Sequence, residues 1–549
     1  MGPATKGAGV AERSIAQTAR EYFGWEELRD GQEEAVSALV GGRDVITVLP
    51  TGAGKSAIYQ LAGAIREGVT IVVSPLIALQ RDQLTKLDDT PRAPRGVAIN
   101  SSLTQRAVDD AWEALADGAA EFVFVAPEQL AKDDVVERLR QLHVGLLAVD
   151  EAHCVASWGH DFRPDYLRLG DVRARLGDPV TVALTATAAE PVRAEITARL
   201  RLADPLLVVR GVDRPGIDLR VHRSTSEDEK HEAVIDEVLA SPAPGLVYTA
   251  TRRETEQYAE ELRARGLRAA AYHAGLSARE RSGVHDAFLD DGLDVVVATN
   301  AFGMGIDKPN VRFVVHASVP ESLDAYYQEL GRAGRDGEPA SAVLYYRSED
   351  LGLRKYFVAR GVDRARAAAA YAAVAASSSP VRSKELAEQL DVSARTATGL
   401  LNLLAEGGAV SLTKRGARAR RRLTPDEAAT AAEEAAERRE RIEESRLEVM
   451  RRYAETRDCR RRVLLGYFGE ELAEPCGHCD TCRAGTAKAD TVDESEAPFP
   501  AGTDVDHVEW GRGSVVDVES DRITVFFADQ GYKVLALEAV EENGLLSRV

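Results

Sequence analysis

The sequence predicts an α/β protein: two tandem parallel-sheet domains, then a helical, winged-helix-like module, a metal-binding module and a small β-barrel. Three observations carry this. Short apolar runs alternate twice with helix-length amphipathic segments, four cysteines crowd one C-terminal window, and Asp504 to Leu546 reads as short strands between glycine turns.

With 549 residues, 44% hydrophobic and 29% charged, the chain can bury several cores. No apolar run reaches the roughly eighteen residues that a membrane span needs, and Met1 to Arg20 lacks the apolar stretch of a secretory signal. A cytoplasmic protein with no membrane partner is expected. Of the five cysteines, Cys154 stands apart and Cys459, Cys476, Cys479 and Cys482 cluster, which argues for metal rather than disulfides. A net charge of −20 and a pI near 5.1 exclude an unspecific nucleic-acid coat, so any contact with phosphate must be local.

The tail 1–20 precedes a first α/β domain, 21–210, with strands at Asp44–Leu49, Val69–Val73, Phe122–Val125 and Leu146–Val149. The pattern restarts in 211–350, with strands at Gly245–Tyr248, Asp294–Val297 and Arg312–Val315 and a helix over Glu254–Arg265. Residues 351–422 form an insertion. Within it, Ser383–Leu390, the turn Asp391-Val-Ser393 and Ala394–Glu406, ending at Gly407-Gly408, read as a winged helix-turn-helix whose basic Lys414–Arg422 touches phosphate, or as a helical spacer with a solvated basic stretch. Residues 423–483 form a helical metal-binding module, in which Thr424–Arg457 reads as a solvated connecting helix. An acidic linker, 484–498, leads to the barrel, 499–549.

The strand ending at Leu49 runs into Pro50-Thr-Gly-Ala-Gly-Lys-Ser56 and a helix, which aims backbone N–H groups and a helix N-terminus at a phosphate. Thr51, Gly52 and Gly54 form the cradle, Lys55 bridges the β- and γ-phosphates, and Ser56 ligates Mg²⁺. Leu49 stands where the general pattern has its first glycine. About a hundred residues on, an apolar strand delivers Asp150-Glu-Ala-His153 to its carboxyl end, where open α/β sheets bind ligands. Asp150 is expected to hold Mg²⁺ through water and Glu151 to orient the attacking water. Gln328-Glu-Leu-Gly-Arg-Ala-Gly-Arg335 supplies Arg332 and Arg335 as arginine-finger candidates.

These residues resemble RecQ helicases of superfamily 2. Asp150-Glu-Ala-His-Cys-Val-Ala-Ser-Trp-Gly-His-Asp-Phe-Arg-Pro-Asp-Tyr166 is similar to that family's Walker B box fused to an aromatic-rich loop. The family order continues in Val72–Leu76, Leu184-Thr-Ala-Thr187, Tyr272-His-Ala-Gly-Leu276 and Ala298–Pro309. The resemblance implies two RecA-like domains with ATP and Mg²⁺ in the cleft between them, and places Asp307 at the nucleotide. It gives Trp25 and Gln32, helped by Arg29, the recognition of adenine, and Trp158, His160, Phe162 and Arg163 the contact with unpaired DNA. Single-stranded and tailed duplex DNA are the implied partners, with 3′ to 5′ movement, work in recombination and repair, and a place with the bacterial nucleoid.

Four thiolates at Cys459-x16-Cys476-x2-Cys479-x2-Cys482 suit tetrahedral Zn²⁺, and an iron–sulfur cluster would also accept them. The surrounding Arg457–Gly469 and Glu474–Cys482 are similar to the RecQ zinc module, which implies structural Zn²⁺. Departing from the usual layout, about a hundred residues separate the motor motifs from these cysteines. Val505–Val516 and Ile523–Phe527 resemble the Tudor-like barrel of UvrD-type helicases, which implies a protein partner or nucleic acid. An RNA-dependent ATPase and a catalytically silent DNA-binding regulator are the alternatives. Intact Lys55, Asp150, Glu151 and Arg335 disfavour the silent regulator.

Overall fold

The computed structural model describes residues 15–50, 52–75, 77–90, 92–156, 164–303, 308–352, 361–413, 416–420, 422–470, 472–487, 498–500, 502–518 and 522–549. The chain divides into two compact units, one built on the first parallel sheet and the other on Val212–Val549 together with short stretches such as Thr187–Val192.

Seven strands form the first sheet: β1 (Val45–Val48), β2 (Val69–Val73), β3 (Gly96–Ile99), β4 (Phe122–Val125), β5 (Val144–Val149), β6 (Val180–Thr185) and β7 (Leu206–Val209), in the order 3-4-2-5-6-1-7. Every pairing is parallel, with Val48 opposite Thr185 and Val149 opposite Ala183. The central strands β1, β2 and β4 are buried at every residue, as parallel strands covered by helices on both faces must be. The apolar runs thus name the central strands. Edge strands β3 and β7 are only partly buried; β3 (Gly-Val-Ala-Ile) carries only a weak run, whereas β7 (Leu-Leu-Val-Val) is apolar although it lies at the sheet edge.

In the second unit β8 (Ile217–Arg223), β9 (Gly245–Tyr248), β10 (Ala269–Tyr272), β11 (Val295–Ala298), β12 (Phe313–His316) and β13 (Ala340–Tyr346) form a parallel sheet in the order 10-11-9-12-13-8. The insertion then folds as helices Arg364–Ala376, Ser383–Leu390 and Ala394–Glu406 and an antiparallel pair, β14 (Val410–Thr413) and β15 (Gly416–Ala419). Helices Ser383–Leu390 and Ala394–Glu406, joined by a short turn, and the β14–β15 ribbon are thus arranged in the order of a helix-turn-helix followed by a two-stranded wing.

Helix Pro425–Glu455 corrects the expectation of a solvated connector. It buries Ala428, Ala429, Ala432, Ala435, Ile442, Leu447, Met450 and Tyr453, an apolar stripe at helical spacing that the charged residues of the other faces conceal in a linear reading. Thr424 starts it with a capping box to Glu427. The C-terminal module is a five-stranded antiparallel sheet of β16 (Asp504–His507), β17 (Gly511–Val518), β18 (Arg522–Phe527), β19 (Gly531–Ala536) and β20 (Leu546–Arg548), ordered 19-18-17-16-20. A bulge between Val515 and Asp517 bends it around Val505, Ile523, Val525 and Phe527. Ser445 on the long helix lies so close to Gly531 that a Cβ there would sit 2.1 Å from its Oγ.

Candidate active site and metal centre

In the first unit the sheet order makes β5, β6 and β1 neighbours, so their carboxyl ends bring three motifs side by side. From the end of β1 the chain turns through Gly52 (φ 86°) and Gly54 (φ 76°) into helix Lys55–Ile65. Both glycines are left-handed, where a side chain is strained, and a Cβ on Gly54 would lie 2.7 Å from Gln32 Nε2. Such a turn points N–H groups and a helix N-terminus at one point, which is the chemistry of phosphate binding. Lys55 Nζ lies over this loop, donating to the carbonyls of Leu49 (3.0 Å) and Pro50 (3.4 Å).

Gln32 is buried, and its amide donates to the carbonyls of Ala53 and Gly54 at 3.0 Å each, while its Oε1 accepts from the Arg29 N–H at 2.8 Å. Arg29 in turn donates to the Gly52 carbonyl. The two residues expected to read adenine are therefore also struts of the phosphate loop. Trp25 is half-buried and stacks on Phe23 with centroids 4.6 Å apart, which leaves one ring face covered within the fold. Thr51 lies outside the described residues.

At the end of β5, Glu151 adopts φ 48°, a left-handed conformation rare for a glutamate, and its N–H donates to Asp150 Oδ1 at 3.0 Å. Burial first, and the neighbouring Glu151 carboxylate second, push the Asp150 carboxyl up to about 7, while Lys55 draws it down. One Glu151 oxygen is buried with no hydrogen bond among the described residues, 3.5 Å from His153 Nδ1. Two carboxyls this crowded are a donor set that a divalent cation satisfies, and Mg²⁺ fits them.

The third motif is Thr185, at the end of β6. Its Oγ1 meets His153 Nδ1 at 2.9 Å, with His153 buried, so the acidic strand end and the Leu184-Thr-Ala-Thr187 segment are directly joined. Residue types alone did not single out this pair; the position of β6 between β5 and β1 creates it. Buried Gln80 was missed likewise: it donates to the Ser74 carbonyl (2.8 Å) and accepts from Asn100 (2.9 Å), fixing the loops after β2 and β3. Tyr166, the last residue of the aromatic-rich run, is fully buried and donates to the Asp150 carbonyl at 3.0 Å. Trp158, His160, Phe162 and Arg163 lie outside the described residues, as does Asp307.

In the second unit, helix Leu323–Leu330, capped by Ser322, leads into the arginine pair. Arg332 is buried at 4% exposure beside Tyr248, whose hydroxyl donates to the Phe302 carbonyl at 2.9 Å. Arg335 is half-exposed, its Nε 3.4 Å from the Gly331 carbonyl. The two candidates thus differ: one is built into the domain, the other reaches its surface.

Also in this unit, the Sγ atoms of Cys459, Cys476, Cys479 and Cys482 all lie within 4.8 Å of one another. The pairs 476–482 and 459–479 are 3.9 and 4.0 Å apart. Tetrahedral Zn–S bonds of about 2.3 Å require sulfurs roughly 3.8 Å apart, so zinc fits. The N–H groups of Cys476 and Cys479 point at the Sγ atoms of Cys459 (3.3 Å) and Cys476 (3.4 Å), as donors to thiolates do. All four ligands come from the protein, which makes the centre structural. Around it, Arg460 pairs with Asp480 (2.9 Å), and Arg461 pairs with Asp213 (2.8 Å) and donates to the Ile217 carbonyl (2.7 Å), tying the centre to β8.

No helix of the described residues is long and apolar enough to cross a membrane. The chain matches the DEAD/DEAH box helicase family over residues 29–194, the helicase conserved C-terminal domain over 229–337 and the RecQ zinc-binding family over 417–483. It is 38% identical over 345 residues to the probable ATP-dependent DNA helicase RecS of Bacillus subtilis (strain 168), covering 63% of this chain and 69% of that protein. Identity to the ATP-dependent DNA helicase RecQ of the same organism is 32% over 479 residues, 86% of this chain and 68% of the relative. For the RecQ of Haemophilus influenzae it is 34% over 480 residues, 87% and 65%. The chain thus spans about two-thirds of the length of these relatives. Among solved structures, the DUF1998 helicase MrfA bound to DNA superposes with a TM-score of 0.52 at 17% identity, covering 76% of this chain and 63% of that one, a likeness of fold alone. With a relative 32% identical across two-thirds of its length, and with the RecQ zinc module in place, the chain belongs to the RecQ family of helicases.

Proposed function

We propose that this chain is an ATP-dependent DNA helicase that moves 3′ to 5′ on a single strand and unwinds tailed duplexes in recombination and repair. The observation that carries the reading is the alignment of three motifs at adjacent strand ends: the phosphate loop after β1, Thr185 after β6 and the Asp150–Glu151 pair after β5. Polarity and pathway follow from family membership.

In this reading Thr51, Gly52, Gly54 and Lys55 hold the phosphates, and Gln32, Arg29 and Trp25 hold the adenine. Ser56 and Asp150 hold Mg²⁺, which supplies charge neutralisation at the γ-phosphate. Glu151 orients the attacking water and takes its proton. Glu151, on a left-handed backbone, has its carboxylate 3.5 Å from His153, which in turn meets Thr185. Arg335, the more exposed of the two arginines, is assigned to the developing phosphate charge, with Arg332 supporting it; Asp307 is assigned to the nucleotide. Trp158, His160, Phe162 and Arg163 are assigned to unpaired DNA. A protein partner for the C-terminal sheet and an association with the nucleoid belong to this proposal too.

ATP hydrolysis with and without single-stranded DNA, together with unwinding of a 3′-tailed duplex, tests it against Lys55→Ala. DNA-stimulated hydrolysis and unwinding, both lost in the variant, are expected. Stimulation without unwinding would leave a translocase, stronger stimulation by RNA an RNA-dependent ATPase, and no hydrolysis a DNA-binding regulator.

A further inference from the structure

The winged module carries charge opposite to that of the whole chain. Between residues 382 and 422 there are nine basic residues and four acidic ones, within a chain of net charge −20. None of the three family matches covers the stretch from 338 to 416.

Helix Ser383–Leu390 ends at left-handed Asp391 (φ 51°), and Ser393 caps helix Ala394–Glu406 by accepting from the Thr396 N–H. One face of that second helix buries Ala397, Leu400, Leu401 and Leu404 in a core shared with helix Pro425–Glu455. Its other face exposes Arg395, Thr396, Thr398 and Gly399, and a Cβ on Gly399 would meet open space. Arg418 and Arg420 on β15, and Arg422 after it, are exposed. Among the described residues, no ion pair engages Arg395, Arg418, Arg420 or Arg422, whereas Arg364 in the same module pairs with Asp426 (2.8 Å) and Glu433 (2.6 Å). Exposed arginines without an ion pair among the described residues are thus found both on the small-residue face of this helix, at Arg395, and on the wing that follows it, at Arg418, Arg420 and Arg422.

We propose that this module is a separate nucleic-acid site that takes duplex DNA, with helix Ala394–Glu406 in the major groove and the wing arginines on flanking phosphates. A helix can enter a B-form major groove about 12 Å wide when its exposed side chains are short, and free arginines at its rim supply phosphate contacts. A single strand is the poorer ligand, because residues 382–422 contain no Phe, Tyr or Trp on which bases could stack. A protein partner would need an exposed apolar or aromatic anchor, and this helix face offers none.

The test uses the full chain and blunt duplex DNA, single-stranded DNA and duplex RNA as probes. In the triple variant Arg418→Ala/Arg420→Ala/Arg422→Ala, the slope of log affinity against log salt for duplex DNA should shrink in magnitude by about 2 to 3, close to 0.9 per lost phosphate contact. The single-strand-stimulated ATPase rate should stay within twofold. Gly399→Glu places a negative charge on the groove-facing surface where there is room, and replaces a mid-helix glycine by a better helix former. It should weaken duplex DNA binding at least tenfold without lowering Tm. An unchanged duplex slope, an equal loss on single strands, or an equal loss on duplex RNA, whose deep groove admits no helix, would overturn the proposal. Loss of the helicase reading itself would appear instead as absent ATP hydrolysis in the wild type.

Discussion

Removing one hydroxyl, in Tyr467→Phe, should measurably loosen the helix that carries the arginine pair. Tyr467 donates to Asp324 Oδ2 at 2.6 Å, with Asp324 only 2% exposed in the first turn of helix Leu323–Leu330. The same hydroxyl meets Tyr532 of β19 at 3.2 Å, and Tyr326 of the helix meets Tyr453 of Pro425–Glu455 at 3.3 Å. Burial first, then the Asp324 carboxylate, hold the Tyr467 phenol well above its ordinary range, so it stays a donor at any working pH. Loss of a buried hydrogen bond to a carboxyl costs about 2 kcal/mol, because the acceptor stays behind without water. For a cooperative unit of this size, that lowers Tm by about 3 °C. Thermal unfolding of Tyr467→Phe, Asp324→Asn and the double variant should give a coupling of about 1 to 2 kcal/mol. The DNA-stimulated kcat should fall while KM for ATP holds, because the perturbed helix precedes Arg332 and Arg335. A Tm unchanged within error, or strictly additive single effects, would refute the reasoning.

Other expectations follow from the same geometry. Glu151→Gln should keep nucleotide affinity within a few fold while hydrolysis falls at least a hundredfold, read by a nucleotide-binding titration beside steady-state rates. The carboxylate form of Asp150 is the one that holds a cation, and its carboxyl sits near 7 rather than its ordinary 3.8. Mg²⁺-dependent ATP affinity should therefore strengthen from pH 6 to 8, with a proton released on binding below pH 7; a flat profile by calorimetry would refute it. For nucleotide-free folding the sign is opposite: the folded state holds this proton more tightly than the unfolded one, so the contribution is present below about pH 4 and lost as pH rises towards 7. Gly531→Ala, at φ 70° with Ser445 Oγ 2.1 Å from the new Cβ, should cost about 2 to 4 kcal/mol in a denaturant titration and detach the C-terminal sheet from the long helix. Cys482→Ser should abolish stoichiometric zinc by elemental analysis and leave the centre susceptible to proteolysis, since metal binding and folding are one equilibrium there.

The motor motifs were legible in the sequence because each is a local constraint. Left-handed turns at Gly52 and Gly54 demand glycine, a buried central strand demands an apolar run, and four thiolates around zinc demand closely spaced cysteines. Pro425–Glu455 was misread as solvated because small alanines between charged residues leave a weak apolar signal, yet they permit the close approach of neighbouring helices. The wing is hard to read for a similar reason, since four-residue strands beside a basic run look like solvated coil until they pair.

What the sequence by itself determined is the inventory of chemistry: the phosphate loop, the acidic pair, the arginines and the zinc ligands, each tied to its own few neighbours. Tertiary structure alone decided who meets whom. His153 joins Thr185 because β6 lies between β5 and β1, Gln32 braces the loop after β1, Arg332 is enclosed against Tyr248 while Arg335 reaches the surface, and Tyr467 reaches Asp324 across 143 residues of chain. Those contacts depend on strand order and on packing between distant segments, and a linear pattern specifies neither.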